Sequence, residues 1–331
     1  MLLSIAIPSH NKTHFLMEAV NSIIKEKEFG TETDLVISDN SLNNETKKLY
    51  NKKYLQNKNI HYFNSKKYQC LDSNVNRAIE LSDSEYVWIF GDDDIIEKNI
   101  LKNVIDFIKK ENPSILILNS SSFSESGIIE YNRMPINAQK IYYENQNDKF
   151  LKEIGGYLTY IGAIIVKKKL WIKHYDRSKI GKFFAHLQCI ANIKIGRRAY
   201  YFPNTAINMR VGSQTWTSKS FVVWHKYYPE IIWGLENYSN EAKNSVIQKN
   251  PIQSITTLAA SRAYKRFNFE IWKNMIFRSK TITNKYKFIS LLLSISPIFI
   301  LKNIYIIFIK YFRKKHTFNF SPKLALAKLK M

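Results

Sequence analysis

A chain of 331 residues with 45% hydrophobic and 14% aromatic side chains has ample material for one large core or two modest ones, which excludes a disordered protein. Its two cysteines, Cys70 and Cys189, supply neither a disulfide framework nor metal-ligand spacing and fit a reducing cytosol. The net charge of +23 is uneven: residues 1–100 carry 12 Lys/Arg against 15 Asp/Glu, whereas residues 262–331 carry 16 against the single acid Glu270, which turns the C-terminal part toward a polyanionic surface, membrane or nucleic acid.

Residues 2–8 read as an apolar strand, without the basic flank of a signal peptide. Residues 15–24 place Phe15, Leu16, Ala19, Val20, Ile23 and Ile24 on one side of a helix. A short strand at 35–38, a polar turn at 39–44 and a helix at 45–55 follow. Next come a strand at 60–63 and a helix containing 75–81. A strand at 86–90, a helix at 96–109 and a strand at 115–118 complete the regular part. Repeated strand–helix units imply an α/β fold with a mainly parallel sheet flanked by helices, and sites in such sheets lie beyond the carboxyl ends of the strands. The strand-end residues are Pro8, Ser9, His10 and Asn11, then Asp39, Asn40 and Ser41, then Asp92, Asp93 and Asp94. All are expected to face one crevice.

The third set is the most informative. Residues 86–94, Tyr-Val-Trp-Ile-Phe-Gly-Asp-Asp-Asp, are a buried strand pattern ending in three adjacent carboxylates. Two readings stand on the triplet alone: ligands for a hard divalent cation shared with a diphosphate, or a solvated acidic turn capping the next helix. Farther on, residues 121–160 carry little periodic signal. A strand is expected at 161–166, a helix at 183–195 and a short strand at 200–202. From residue 220 the pattern is helical and aromatic-rich.

On these residues the chain resembles the family 2 glycosyltransferases. Ile5-Ala6-Ile7-Pro8-Ser9-His10-Asn11 is similar to the family's opening strand and Pro-x-Tyr-Asn turn. Val36-Ile37-Ser38-Asp39-Asn40-Ser41 is similar to its second strand with Asp-Asp-x-Ser, Asn76-Arg77-Ala78-Ile79 to its Asn-x-Gly-Ile helix, and Gly91-Asp92-Asp93-Asp94 to its Asp-x-Asp. The subset most resembled comprises abequosyltransferase-like enzymes of bacterial O-antigen and capsule assembly. The resemblance implies the nucleotide-diphospho-sugar-binding fold called GT-A over residues 1–216, with 1–120 binding the nucleotide sugar and 121–216 serving the acceptor. Residues 217–331 would form a helical, basic extension.

The same resemblance implies a nucleotide-sugar donor held by Pro8, Ser9, His10, Asn11, Asp39, Ser41, Asn76 and Asp92. It also implies Mg²⁺ or Mn²⁺ on Asp92 and Asp94, whose carboxylates, two apart on an extended turn, can reach one ion; Asp93 would point away toward the ribose or sugar. For Asp39 the alternative is a plain Asx-turn; for His10, a helix-capping role. Where the family usually has Glu-Asp heading a helix, this chain has Ala185-His186. His186 is the candidate general base, its alternative a helix-start histidine paired with a carbonyl, and Asp176 the candidate substitute. Arg210 and Trp216, on a Gly/Ser/Thr-rich loop, are acceptor-side candidates; a buried core Trp is the other reading.

Residues 288–312 hold two apolar runs, neither reaching the ~20 residues that span a bilayer, followed by Arg313-Lys314-Lys315. This pattern suits peripheral attachment to an anionic membrane surface, expected at the cytosolic face of a bacterial cell membrane, or else a set of core helices. The acceptor would be a saccharide, its lipid linkage resting on the family resemblance together with the membrane argument and not on site chemistry. A same-fold sugar nucleotidyltransferase is disfavoured because residues 8–14 contain no glycine. Nucleic-acid binding is disfavoured by the acidic first 100 residues.

Overall fold

The computed structural model, which describes residues 1–67, 70–193, 199–213, 219–312, 325–327 and 329, turns the alternating periods into a mixed α/β sheet covered by helices on both faces. β1 (Leu3–Ser9), β2 (Thr33–Asp39), β3 (Ile60–Asn64) and β4 (Tyr86–Ile89) run parallel, joined by α1 (Thr13–Ile23), α2 (Glu45–Lys53) and α3 (Leu71–Glu80). β5 (Ile95–Ile96), α4 (Ile100–Glu111), β6 (Ile115–Ser124), β7 (Gly127–Glu130), β8 (Lys140–Tyr142), α5 (Asn147–Ile154), β9 (Ile164–Lys167), α6 (Lys168–His174), α7 (Ala185–Asn192) and β10 (Ala199–Arg210) follow. The strand order is β3-β2-β1-β4-β9-β6-β10-β5, with β7 beside β6 and β8 beside β10. β9 is antiparallel to both β4 and β6.

Period-two alternation decides which side chain enters which core. Tyr86, Trp88 and Phe90 pack with α1 and α4 on one face, while Val87 and Ile89 pack with α3, α5 and α7 on the other. Pro8 sits inside β1, yet β4 leaves that ladder after Ala6 pairs with Ile89. Its missing N–H therefore costs no bond on that side.

Several elements differ from the sequence expectation. The helix expected from 96 begins at Ile100, because Ile95–Ile96 pairs antiparallel with β10. The Glu26 carboxylate then accepts the N–H groups of Asn99 and Leu101 and so caps α4 from α1's trailing turn. The strand expected at 161–166 is a 3₁₀ turn, Ile161–Ala163, followed by β9. The strand expected to end at Phe202 continues through Pro203 to Arg210, with the register shifting between Phe202 and Ile207. β6 likewise runs on through a serine-rich stretch to Ser124.

Beyond residue 219 the described chain is helical. Val223, Tyr228, Ile231, Ile232, Leu235, Tyr238 and Ala242 join the core that α3 and α7 share. Helices Asn284–Ile295 and Ile298–Phe312 meet at a sharp bend of 101° between Asn284–Ile295 and Ile298–Tyr311. Among the described residues no single helix is long and apolar enough to cross a membrane. The first helix is fixed through Ser290, whose hydroxyl lies 3.1 Å from Trp272 Nε1. Phe288, Leu292, Ile295, Phe299, Ile300, Ile304, Ile307 and Phe308 are exposed, forming an apolar ridge. Arg313, Lys314 and Lys315 lie outside the described residues.

Candidate active site

The loops after β1, β2 and β4 are tied together at the carboxyl end of the sheet. Asn11, in the left-handed region at φ 53°, donates its N–H to Ser41 Oγ at 2.7 Å and accepts from Leu42 N–H at 3.2 Å. Its neighbour His10 places Nδ1 2.9 Å from Asn40 Oδ1. Asp39 closes an Asx-turn by accepting Ser41 N–H at 2.8 Å, and its other oxygen accepts the Tyr62 hydroxyl at 2.6 Å. Asp39 is fully buried, and its carboxylate closes the β2 turn. Buried Ser9 Oγ has no hydrogen-bond partner among the described residues.

Asn76 departs from expectation. It points from α3 away from the crevice, accepting Trp171 Nε1–H at 3.0 Å and donating to Glu80 at 2.8 Å. The residue that binds the strand ends is Asn74, whose amide donates to the carbonyls of Ser9 (3.1 Å) and Ser38 (2.9 Å) and accepts the Ser38 hydroxyl (2.7 Å). Arg77, three positions on and so on the same helix face, donates to Ser38 Oγ. Sequence reasoning missed both; the i, i+3 polar pair on an otherwise apolar face was the available signal.

Gly91 is required where β4 ends, since a Cβ there would lie 2.4 Å from Asp94 Oδ2. Asp94 is buried; one oxygen accepts the Tyr160 hydroxyl at 2.7 Å and the other the Arg210 N–H at 3.1 Å. Asp92 is also buried; Oδ2 accepts His10 N–H at 3.3 Å and Oδ1 faces the Lys12 ammonium at 3.1 Å. The same ammonium lies 2.7 Å from Asp93 Oδ2, which also accepts the Ser213 hydroxyl. The expected alternation, with Asp93 turned away from the other two, is therefore not what the backbone does. Asp92 and Asp93 form a turn, not an extended segment, and they share one cation. Burial, with the charge of Asp93 added, raises the Asp92 and Asp94 carboxyls above the ordinary range, and Lys12 offsets part of this at Asp92. Burial alone would lower the Lys12 ammonium, but the two carboxylates outweigh it and its pKa rises.

Arg210 is part of this cluster. Its Nε–H donates to the Asp93 carbonyl at 3.0 Å, its guanidinium pairs with Glu18, and the rings of Phe15 and Phe123 flank it at 4.6 and 4.7 Å. Trp216 lies outside the described residues. Among the described residues no three His, Cys, Asp or Glu side chains converge as a closed metal site. The donor set nevertheless fits a divalent cation completed by phosphate oxygens. Among the described residues Lys12 faces the Asp92 and Asp93 carboxylates, the Arg210 guanidinium pairs with Glu18, which His14 approaches at 3.4 Å, and Asp94 is held by the Tyr160 hydroxyl and the Arg210 main-chain N–H, so carboxylates outnumber cationic side chains at the turn.

His186 does not stand open as a base. It is 2% exposed, its Nε2–H donates to the Leu158 carbonyl at 3.0 Å, and burial pushes its pKa down to about 4. This matches the alternative of a histidine at a helix start paired with a carbonyl. Asp176 caps a short turn by accepting Ser178 N–H at 2.9 Å. The acid that organises α7 comes from α3: buried Asp72 accepts the N–H groups of Gly181, Phe183 and Ala185 at 2.9, 2.8 and 3.2 Å. No spacing signal links residues more than a hundred positions apart.

Residues 4–170 match the family described as glycosyl transferase family 2. The abequosyltransferase RfbV of Salmonella typhimurium is 27% identical over 201 residues, 56% of this chain and 59% of that protein; the match thus spans about six tenths of the curated relative's length. The crystal structure of S. aureus TarS 1-349 in complex with UDP superposes with a TM-score of 0.56 at 14% identity, covering 85% of this chain and 76% of that one. The same protein in complex with UDP-GlcNAc gives 0.56 at 15%, covering 75% and 71%. At such identity the likeness concerns the fold.

Proposed function

The chain belongs to glycosyl transferase family 2, and from that premise we propose that it moves a sugar from a nucleoside-diphosphate donor to a saccharide acceptor. The observation that carries this reading is the carboxylate turn Asp92–Asp94, held at the end of β4 with the Lys12 ammonium on Asp92 and Asp93 and Arg210 bound to it by main chain and side chain. Glycosyl transfer builds charge on the leaving diphosphate, and a cationic side chain in a water-poor pocket stabilises that charge strongly. Mg²⁺ or Mn²⁺, held by Asp92 and Asp94 together with donor oxygens, would supply Lewis-acid assistance.

The chain's own residues have separate tasks in this reading. The His10–Asn11 and Asp39–Ser41 turns, locked to each other, flank the nucleotide. Asn74 and Arg77 hold the strand ends that carry those turns. Lys12 meets the diphosphate, and Asp93, between Lys12 and Ser213, meets the transferred sugar. Arg210 fixes the carboxylate turn by its main chain and side chain together, and Trp216 is assigned to the acceptor. The relative named an abequosyltransferase and the neighbour solved with UDP and UDP-GlcNAc support the donor class. The residues 1–216 are taken as the transferase unit.

The exposed ridge on helices Asn284–Ile295 and Ile298–Phe312, in a segment rich in Lys and Arg, supports attachment to an anionic membrane surface. An enzyme held on the inner face of the cell membrane suits a lipid-linked acceptor in surface-polysaccharide assembly. A panel of nucleoside-diphosphate sugars incubated with the full chain and Mn²⁺ tests the donor reading. Release of the diphosphate from one or a few members supports it; binding of none of them overturns it.

A further inference from the structure

We propose that Lys12 is a built-in counter-ion that fills the carboxylate pocket until a donor diphosphate draws it away, so that a divalent cation enters with the donor and not ahead of it. The inference rests on the nucleotide-sugar reading above and adds an order of binding to it. The oxygens of the turn divide by what they hold. Asp94 Oδ1 takes the main-chain N–H of Arg210, and Asp94 Oδ2 takes Tyr160, whose ring packs against Arg133 and Tyr157. Asp92 Oδ2 takes the main-chain N–H of His10. Asp92 Oδ1 and Asp93 Oδ2 are both on Lys12, at 3.1 and 2.7 Å; Asp93 Oδ2 also accepts the Ser213 hydroxyl, whereas Lys12 is the side chain that holds Asp92 Oδ1. A cation held by Asp92 and Asp94 would need Asp92 Oδ1, and there it competes with an ammonium already seated.

The seat of Lys12 favours an exchange. Its backbone follows Asn11, which the left-handed turn and the bond to Ser41 Oγ hold in place, so the four-carbon stem can swing without moving the loop. The ammonium side chain is only 14% exposed, so leaving the pocket without a new anionic partner is costly. A diphosphate offers that partner. By linkage, a diphosphate that removes the competitor raises metal affinity, and the metal raises diphosphate affinity by the same factor.

The test uses the full chain with Mn²⁺ and inorganic pyrophosphate, reading protein-bound Mn²⁺ by equilibrium dialysis, in which the Mn²⁺–pyrophosphate complex formed in solution is equal on both sides. Lys12→Met keeps the apolar stem and removes the charge. It should bind Mn²⁺ alone about tenfold or more tightly than wild type, since a repelling charge has left the ligand oxygens. Pyrophosphate should strengthen Mn²⁺ binding less in this variant than in wild type. Lys12→Arg should retain the weak metal binding of wild type. Unchanged Mn²⁺ affinity in Lys12→Met, or saturable micromolar Mn²⁺ binding by wild type without pyrophosphate, overturns the inference and leaves the transferase reading intact. If Lys12→Met fails to fold, the wild-type measurement still decides. No Mn²⁺ binding by either protein with pyrophosphate present overturns the cation reading itself, and this inference with it.

Discussion

His186→Ala separates a base from a packing residue. The imidazole is 2% exposed and gives its Nε2–H to the Leu158 carbonyl at 3.0 Å. Truncation leaves that carbonyl unsatisfied in the core, which costs ~1–3 kcal/mol, and opens a void beside Phe184, whose ring centroid lies 6.2 Å from that of His186. Urea unfolding at pH 7.5 should therefore show a loss of about 2–4 kcal/mol. The pH dependence follows from burial. The folded-state pKa is depressed from 6.5 to about 4, so the unfolded chain binds the extra proton between those values. Stability is full above pH 6.5 and falls as pH drops toward 4. At pH 5 the wild-type loss through this residue is about 2 kcal/mol, and His186→Ala should lack that component. Half-buried His225, also lowered to about 4, keeps its own share in both proteins. Transfer rate per folded molecule should change only a few-fold. Wild-type stability combined with a rate loss of ~10²–10⁴ would refute the structural reading of His186 and restore it as the base.

Two further outcomes are expected. Asn74→Ala removes three buried hydrogen bonds joining the ends of β1 and β2 and should cost about 2–4 kcal/mol while weakening donor binding in titration calorimetry, whereas Asn76→Ala should leave donor affinity unchanged. Phe288→Ser with Phe299→Ser, both on the exposed ridge, should leave the melting temperature within a few degrees. The same pair should lower binding to anionic vesicles about tenfold or more in sedimentation, because full burial of one such ring is worth ~1.5–3 kcal/mol; unaltered vesicle binding would refute the membrane assignment.

The sheet was legible where the period was clean. β1, β2, β3 and β4 follow alternating or continuous apolar runs, and the crevice at their carboxyl ends follows from parallel topology. The residues 119–124 of β6 are polar and serine-rich, so their strand depends on tertiary pairing with β10 and carries no local signal. β5 is two residues long, and its identity rests on pairing with a strand 111 positions later. Site chemistry was legible by residue type and less so by direction. The triplet Asp92–Asp94 was found, but its turn geometry, the Lys12 ammonium across it and the Arg210 main-chain contact are fixed by non-local packing. Asp72 capping the approach to α7 has the same character.

The central claim is that the pocket around Asp92 and Asp94 turns over a nucleoside-diphosphate sugar. The most direct test measures nucleoside diphosphate released from the preferred donor, with Mn²⁺, by wild type, Asp92→Asn and Asp94→Asn, each shown folded by circular dichroism. Asparagine keeps the shape and an oxygen acceptor for the His10 and Tyr160 bonds but removes the charge. The account predicts that both substitutions abolish metal-dependent release while the fold persists. Wild-type release by both folded variants would contradict it.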